Sequence, residues 1–307
     1  MQRGQQVRPH AQRNHVGCPE RSRALPKPSP SPPRARAHAT TRSTEEQQLL
    51  YKHLGGNTFL LKYSNGQCIL VDPWLTGSIT FGSGIAKALY TGTKAQTGSI
   101  SDIVQNARLI VLTQSLPDHA HPPTLREIAS IKPDIPIVAS PAAASFAETF
   151  GFEQIFSVPP NQRISLSEPS ASLIATEGAL VGPPWSTREN GFVIEISGKR
   201  VFYEPHADSR SASLSTVGKV DAMITPLKKV TLGGFPLVFG HEPLSRLVQL
   251  LDPERVIALV NSDVESQGLI SSLISSSGSS EVFQQAVRSV KQSCEVRVPA
   301  VGTPSEV

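Results

Sequence analysis

The run Leu109-Ile-Val-Leu-Thr113 sets the tightest limit on what this chain can become. It is continuous, apolar and of strand length, a pattern that suits a strand buried on both faces. Such a strand needs a packed layer on each side. It is followed at once by Gln114-Ser-Leu-Pro-Asp-His-Ala-His121. Polar side chains therefore collect at its carboxyl end, where open α/β sheets bind their ligands. Pro122-Pro123 then opens a predicted helix over 124–131, since proline is tolerated in a first helical turn.

The flanking pattern agrees with a layered domain. Asn57–Tyr63 and Gln67–Asp72 are β-rich runs joined by Ser64-Asn-Gly66, and Asn-Gly between two such runs signals a hairpin. Phe192–Ile196 and Arg200–Tyr203 flank Ser197-Gly198-Lys199 as a second hairpin. Further strands are predicted at Ile135–Ala139, Ser172–Thr176, Asp221–Thr225, Val256–Val260 and Val296–Val298. Helices are predicted at Pro141–Phe150, Pro243–Leu251 and Glu281–Gln292. Residues 73–100 lack periodicity and read as a long surface loop, and the Ser275–Ser280 tract reads as a chain break. Meander strands come first and strand–helix alternation follows, which indicates a mixed α/β fold.

Charge divides the chain. Residues 1–44 carry eight Arg, Lys27 and only Glu20, a net +8, which leaves −4 for residues 45–307. Prolines cluster between Pro26 and Pro33, and the segment has no apolar stretch of secretory type. It reads as a disordered leader, either a transit peptide or a plain tail, with 45–307 as one domain. A faintly acidic body lacks the cationic stripe that nucleic-acid binding needs. No apolar run approaches the ~20 residues of a membrane span. Cys18, Cys68 and Cys294 are widely spaced, so a soluble, intracellular body without disulfides is expected. P-loop, dinucleotide and nucleophile-elbow motifs are absent from the sequence.

Asp118-His119 sets a carboxylate beside an imidazole, both ordinary zinc or iron donors. With the hairpin ending Val71-Asp72-Pro73-Trp74, the strand leading into residues 114–119 and the Gly191–Tyr203 hairpin, the chain resembles the metallo-β-lactamase superfamily over most of 50–300. It looks most like a plant and cyanobacterial branch near the ascorbate-phosphate lactonase-like members. The resemblance implies an αββα sandwich, two mixed β-sheets with helices on the outer faces.

Departures from the superfamily pattern are extensive. Gln114 and Leu116 stand where the first two histidines of His-x-His-x-Asp-His would be, Glu177-Gly178-Ala179 where a third would follow, and Asn261 where the last ligand would lie. Glu204-Pro205-His206 replaces the segment of the bridging Asp. The resemblance then implies one zinc or iron ion at most, held by Asp118, His119 and His206, with Asp118 and Glu204 as the catalytic carboxyl groups. Two readings stay open. One is a mononuclear metal-dependent hydrolase of a small ester, lactone or phosphate-containing metabolite. The other is an inactive, metal-free member that binds an organelle protein partner, with Asp118, His119 and His206 as a hydrogen-bonded remnant. Asp72 reads as a turn carboxylate, His121 and His241 as capping or surface residues, and Trp185 as a loop anchor or pocket wall. The leader and the plant-like branch point to the chloroplast ahead of the mitochondrion.

Overall fold

The computed structural model describes residues 48–83, 86–92, 99–180, 188–261 and 264–307. The chain divides into two units, Met1–Ser43 and Thr44–Val307, and all that follows concerns the second. Trp185 lies outside the described residues.

Two seven-stranded mixed sheets form its centre. The first runs in the order Pro304–Glu306, Leu50–Gly55, Thr58–Lys62, Cys68–Val71, Ala107–Leu112, Ile137–Ala139, Ile155–Ser157. Its first four strands pair antiparallel and the rest parallel. The second runs Glu295–Arg297, Arg255–Leu259, Ala222–Pro226, Lys199–Tyr203, Arg188–Ile196, Ala171–Leu180, Arg163–Leu166. Here the parallel pairs come first. Alternation along each strand sends one set of side chains inward and the other toward the helices, because successive Cβ atoms point to opposite faces. Phe59, Leu61, Ile69, Val71, Phe192, Ile194 and Tyr203 meet between the sheets. Leu70, Ile110 and Leu112 pack outward against Leu125 and Ile128 of the helix Pro122–Ile131 and Ala143 of Pro141–Glu148. Val193, Met223 and Val256 pack against Leu247 and Phe283 of Leu244–Leu251 and Ser280–Arg288. This is the αββα sandwich the sequence implies.

Both expected hairpins form. At Ser197-Gly198 both residues take positive φ, 51° and 73°, which is the type I′ turn that matches strand twist. The stretch 73–100 corrects the sequence reading. Ile79–Ser83 and Ala86–Gly92 form an antiparallel pair whose outer partner is Val264–Gln267, far along the chain. A strand completed by so distant a partner owes its stability to tertiary pairing more than to local propensity, so local patterning does not show it. The Ser-rich tract is likewise partly strand, since Ile274–Ser277 pairs with Lys229–Leu232. No helix among the described residues is long and apolar enough to cross a membrane.

Phe59 links the layers most directly. It is fully buried and its ring meets that of Tyr203, from the opposite sheet, edge-on at 4.8 Å. Truncating such a core aromatic removes transfer energy and leaves a cavity. Phe59→Ala is expected to lower stability by about 3–5 kcal/mol in urea unfolding. A loss below about 1 kcal/mol would show that the sheets do not depend on this contact.

Candidate functional site

The strand Ala107–Leu112 lies inside the first sheet between Cys68–Val71 and Ile137–Ala139, and residues 113–121 follow at its carboxyl end. His119 N–H and Ala120 N–H both donate to the Leu116 carbonyl, at 2.9 and 2.8 Å, closing a tight turn that points His119 inward. His121 precedes the helix Pro122–Ile131 and is buried, with Nδ1 2.9 Å from Thr124 Oγ1.

Asp72 anchors this turn. It sits just after Cys68–Val71 with φ 45°, a left-handed conformation that a non-glycine residue holds only when its surroundings fix it. Thr113 N–H donates to its Oδ1 at 2.8 Å. Its Oδ2 accepts from Thr113 O–H at 2.7 Å, Tyr203 O–H at 2.9 Å and His119 Nδ1–H at 2.7 Å. Asp72, Thr113, His119 and Tyr203 are all fully buried. Asp72 is therefore a central carboxylate of the site, where the sequence suggested a turn residue. Burial, and after it the Asp72 carboxylate, keeps the Tyr203 hydroxyl protonated well above its usual range.

His119 Nε2 lies 3.3 Å from Asp118 Oδ2. Asn57 Nδ2 sits against both, 2.9 Å from His119 Nε2 and 3.1 Å from Asp118 Oδ2. A carboxylate only accepts, so the Asp118 contact fixes the Asn57 amide with its nitrogen facing the pair. Burial works against a charge on His119, yet the Asp118 and Asp72 carboxylates outweigh it and push its pKa up to about 10. The amide opposes that push. A protonated Nε2 would set donor against donor at 2.9 Å, so this contact belongs to the neutral ring with its proton on Nδ1. Burial also opposes the charge on Asp118; a protonated His119 beside it would hold the carboxyl below the usual carboxylate range, a pull that the neutral ring lacks.

His206 follows the strand Lys199–Tyr203. Its ring centre is 5.7 Å from that of His119, and its Nε2 is 3.4 Å from Gln114 Nε2. Glu204 is 2 % exposed and wholly engaged. Its Oε1 accepts from Ala179 N–H at 3.4 Å and His206 N–H at 3.3 Å, and its Oε2 from Asp208 N–H at 2.7 Å. Glu204 thus ties down the turn that carries His206, which is not the free carboxylate a general base requires. The structure brings Asp118, His119 and His206 to one end of the sandwich. Among the described residues, however, no group of three or more His, Cys, Asp and Glu is placed to hold a metal ion. The residues present do not fit the ion that the resemblance implies.

Three participants escaped the sequence reading. Asn57 follows Gly55-Gly56, and only the tight turn there hints at a special position. Asp72 was legible as a residue but not as a hub. Glu189 is 8 % exposed, and its Oε2 is buried without a hydrogen-bond partner. Burial pushes its carboxyl up to about 7, Asp72 and Asp118 add to the push, and only a charged His119 would oppose it.

The sequence profile of a family described as "Beta-lactamase superfamily domain" matches residues 51–259. No curated protein matches the chain in sequence. A metallo hydrolase of Ignicoccus hospitalis is similar in structure, with a TM-score of 0.60 at 18% identity over 85% of this chain and 98% of its own. A possible metal-dependent hydrolase of Veillonella parvula gives 0.62 at 16% identity, over 85% and 100%. CmlA, a diiron β-hydroxylase of Streptomyces venezuelae, gives 0.60 at 14% identity, over 85% of this chain and 54% of its own. At these identities the likeness is one of fold.

Glu189 generates a pH prediction. A carboxyl whose folded pKa is raised from 4.5 to about 7 binds more protons folded than unfolded between those values. Its burial therefore costs nothing below that window and destabilises fully above it. Glu189→Gln is expected to be more stable than the wild type at pH 8 and nearly equal to it at pH 4, by urea unfolding. A difference that is constant across pH would show that Glu189 titrates normally.

Proposed function

The chain belongs to the beta-lactamase superfamily domain family, and we propose that it is a member working without a catalytic metal, as a binding or scaffolding protein. The observation that carries this reading is the donor set. Hydrolysis at neutral pH in such a fold depends on an ion lowering the pKa of bound water from 15.7 to about 7. A catalytic zinc site needs about three protein donors and an open position. Here Leu116 has no lone pair, Gln114 turns an amide nitrogen toward His206, and Asn57 turns one toward His119 and Asp118. In Glu177-Gly178-Ala179, where a third histidine would follow, no side chain offers an imidazole, and at Gly178 a Cβ would meet the Glu189 carbonyl oxygen at 2.7 Å.

One observation favours a second reading, the mononuclear hydrolase of a small ester, lactone or phosphate-containing metabolite. Asp118 Oδ2 and His119 Nε2 are 3.3 Å apart, close to the spacing of neighbouring ligands around a tetrahedral ion. Similar folds include metal-dependent hydrolases. Elemental analysis of protein purified without added metal separates the two. The metal-free reading predicts well under one equivalent of zinc and iron, unaffected by Asp118→Ala or His206→Ala. About one equivalent, lost in those variants, would establish the hydrolase reading instead.

We also place the chain in the plant and cyanobacterial branch and in the plastid. The +8 charge of residues 1–44 with their single acid supports the address. Residues 1–44 fused to a fluorescent reporter are expected to carry it into plastids of plant cells. Diffuse cytosolic fluorescence would contradict this.

A further inference from the structure

We propose that the Asn57 side-chain amide occupies the place a metal ion would take between Asp118 and His119, so that this one residue closes the retained donor pair to metal. The inference rests on the metal-free reading and names the group responsible for it.

Asn57 is 6 % exposed and its nitrogen lies 2.9 Å from His119 Nε2 and 3.1 Å from Asp118 Oδ2. Those two donor atoms are themselves 3.3 Å apart. An ion bound at about 2.0–2.2 Å would hold tetrahedral neighbours roughly 3.4 Å apart, so the pair is spaced for a cation. The amide offers two N–H groups, one for each acceptor, and with them a partial positive charge between a carboxylate and an imidazole lone pair. Asn261 Nδ2–H donates to Asn57 Oδ1 at 3.0 Å and holds the amide's other end.

The backbone fixes the same placement. The pairing of Leu50–Gly55 with Thr58–Lys62 shifts register between His53 and Gly55, just before Asn57. Gly56 takes φ +56°, and a Cβ on it would meet the Trp74 ring at 2.9 Å. On the other side, Thr58 O–H donates to the Asp72 carbonyl at 2.7 Å, and Trp74 N–H donates to Thr58 Oγ1 at 2.8 Å. Asn57 is held between two constrained neighbours, with its amide directed at the pair. A similar arrangement recurs at the site's second imidazole, where Gln114 Nε2 faces His206 Nε2 at 3.4 Å. Both imidazoles of the site meet an amide nitrogen.

The test uses the full chain stripped with chelator, its circular dichroism, and calorimetric titration with zinc alone. The wild type is expected to show no saturable zinc binding. Asn57→Asp replaces the N–H donors with a carboxylate oxygen, a third metal donor beside Asp118 and His119, and should bind one zinc saturably where the wild type does not. Zinc should also raise its melting temperature. Adding Asp118→Ala to that variant should abolish the gain. Asn57→Ser removes the amide without adding a charge and guards against a misfolded Asn57→Asp; it too should bind zinc more tightly than the wild type. If both single variants fold and bind no better than a wild type that binds none, the role of Asn57 is refuted while the metal-free reading stands. One equivalent of zinc bound by the wild type would overturn both.

Discussion

The carboxylate of Asp72 is the constraint on which the site depends. It joins three parts of the molecule. Its own backbone ends a strand of the first sheet, Thr113 and His119 belong to the loop after another, and Tyr203 ends a strand of the second. A buried carboxylate is costly unless donors surround it. Four hydrogen bonds of 2.7–2.9 Å do so here. Because they come from separate elements, satisfying the charge also fixes how the two sheets meet at this end. At its positive φ the Asp72 backbone is tied by its own bonds, N–H to the Val111 carbonyl at 2.9 Å and its carbonyl from Thr58 O–H at 2.7 Å.

The orientation of His119 follows. Fixing Nδ1–H on Asp72 leaves Nε2 facing Asp118 and Asn57, the arrangement in which a carboxylate behind an imidazole prepares it to bind a metal. That preparation persists although the partners have changed. Where an ion would meet Nε2 and Asp118, an amide meets them, and its hydrogen bonds are of ordinary length. The amide gives Asp118 Oδ2 and His119 Nε2 the partner whose loss would be costly, while Asp118 Oδ1 and His206 Nδ1 stay buried without a hydrogen bond. Replacing an ion by Asn57 is a way to lose the metal and keep the fold.

Much of the fold was legible in the sequence. The run at 109–113 and the Asn-Gly and Ser-Gly turns report on local chemistry, and local chemistry decided them. Ile79–Ser83 was not legible, because its sheet is completed by residues beyond 260. The helix Ile100–Asn106 did carry a local signal: Ser99 and Asp102 form a reciprocal capping box that a reading for apolar period passes over. At the site, Asp118 and His119 were readable from their adjacency. Asn57 was not, since an asparagine after two glycines reads equally as a turn. Its role exists only because the Leu50–Gly55 and Thr58–Lys62 strands bring it beside a loop some sixty residues on.

Direct imaging of the point between Asp118 and His119 bears on the whole account. A crystal structure of the wild type with anomalous data collected above the zinc and iron edges should show the Asn57 amide there and no anomalous peak. A peak within about 2.2 Å of both Asp118 Oδ2 and His119 Nε2, with Asn57 turned aside, would contradict it.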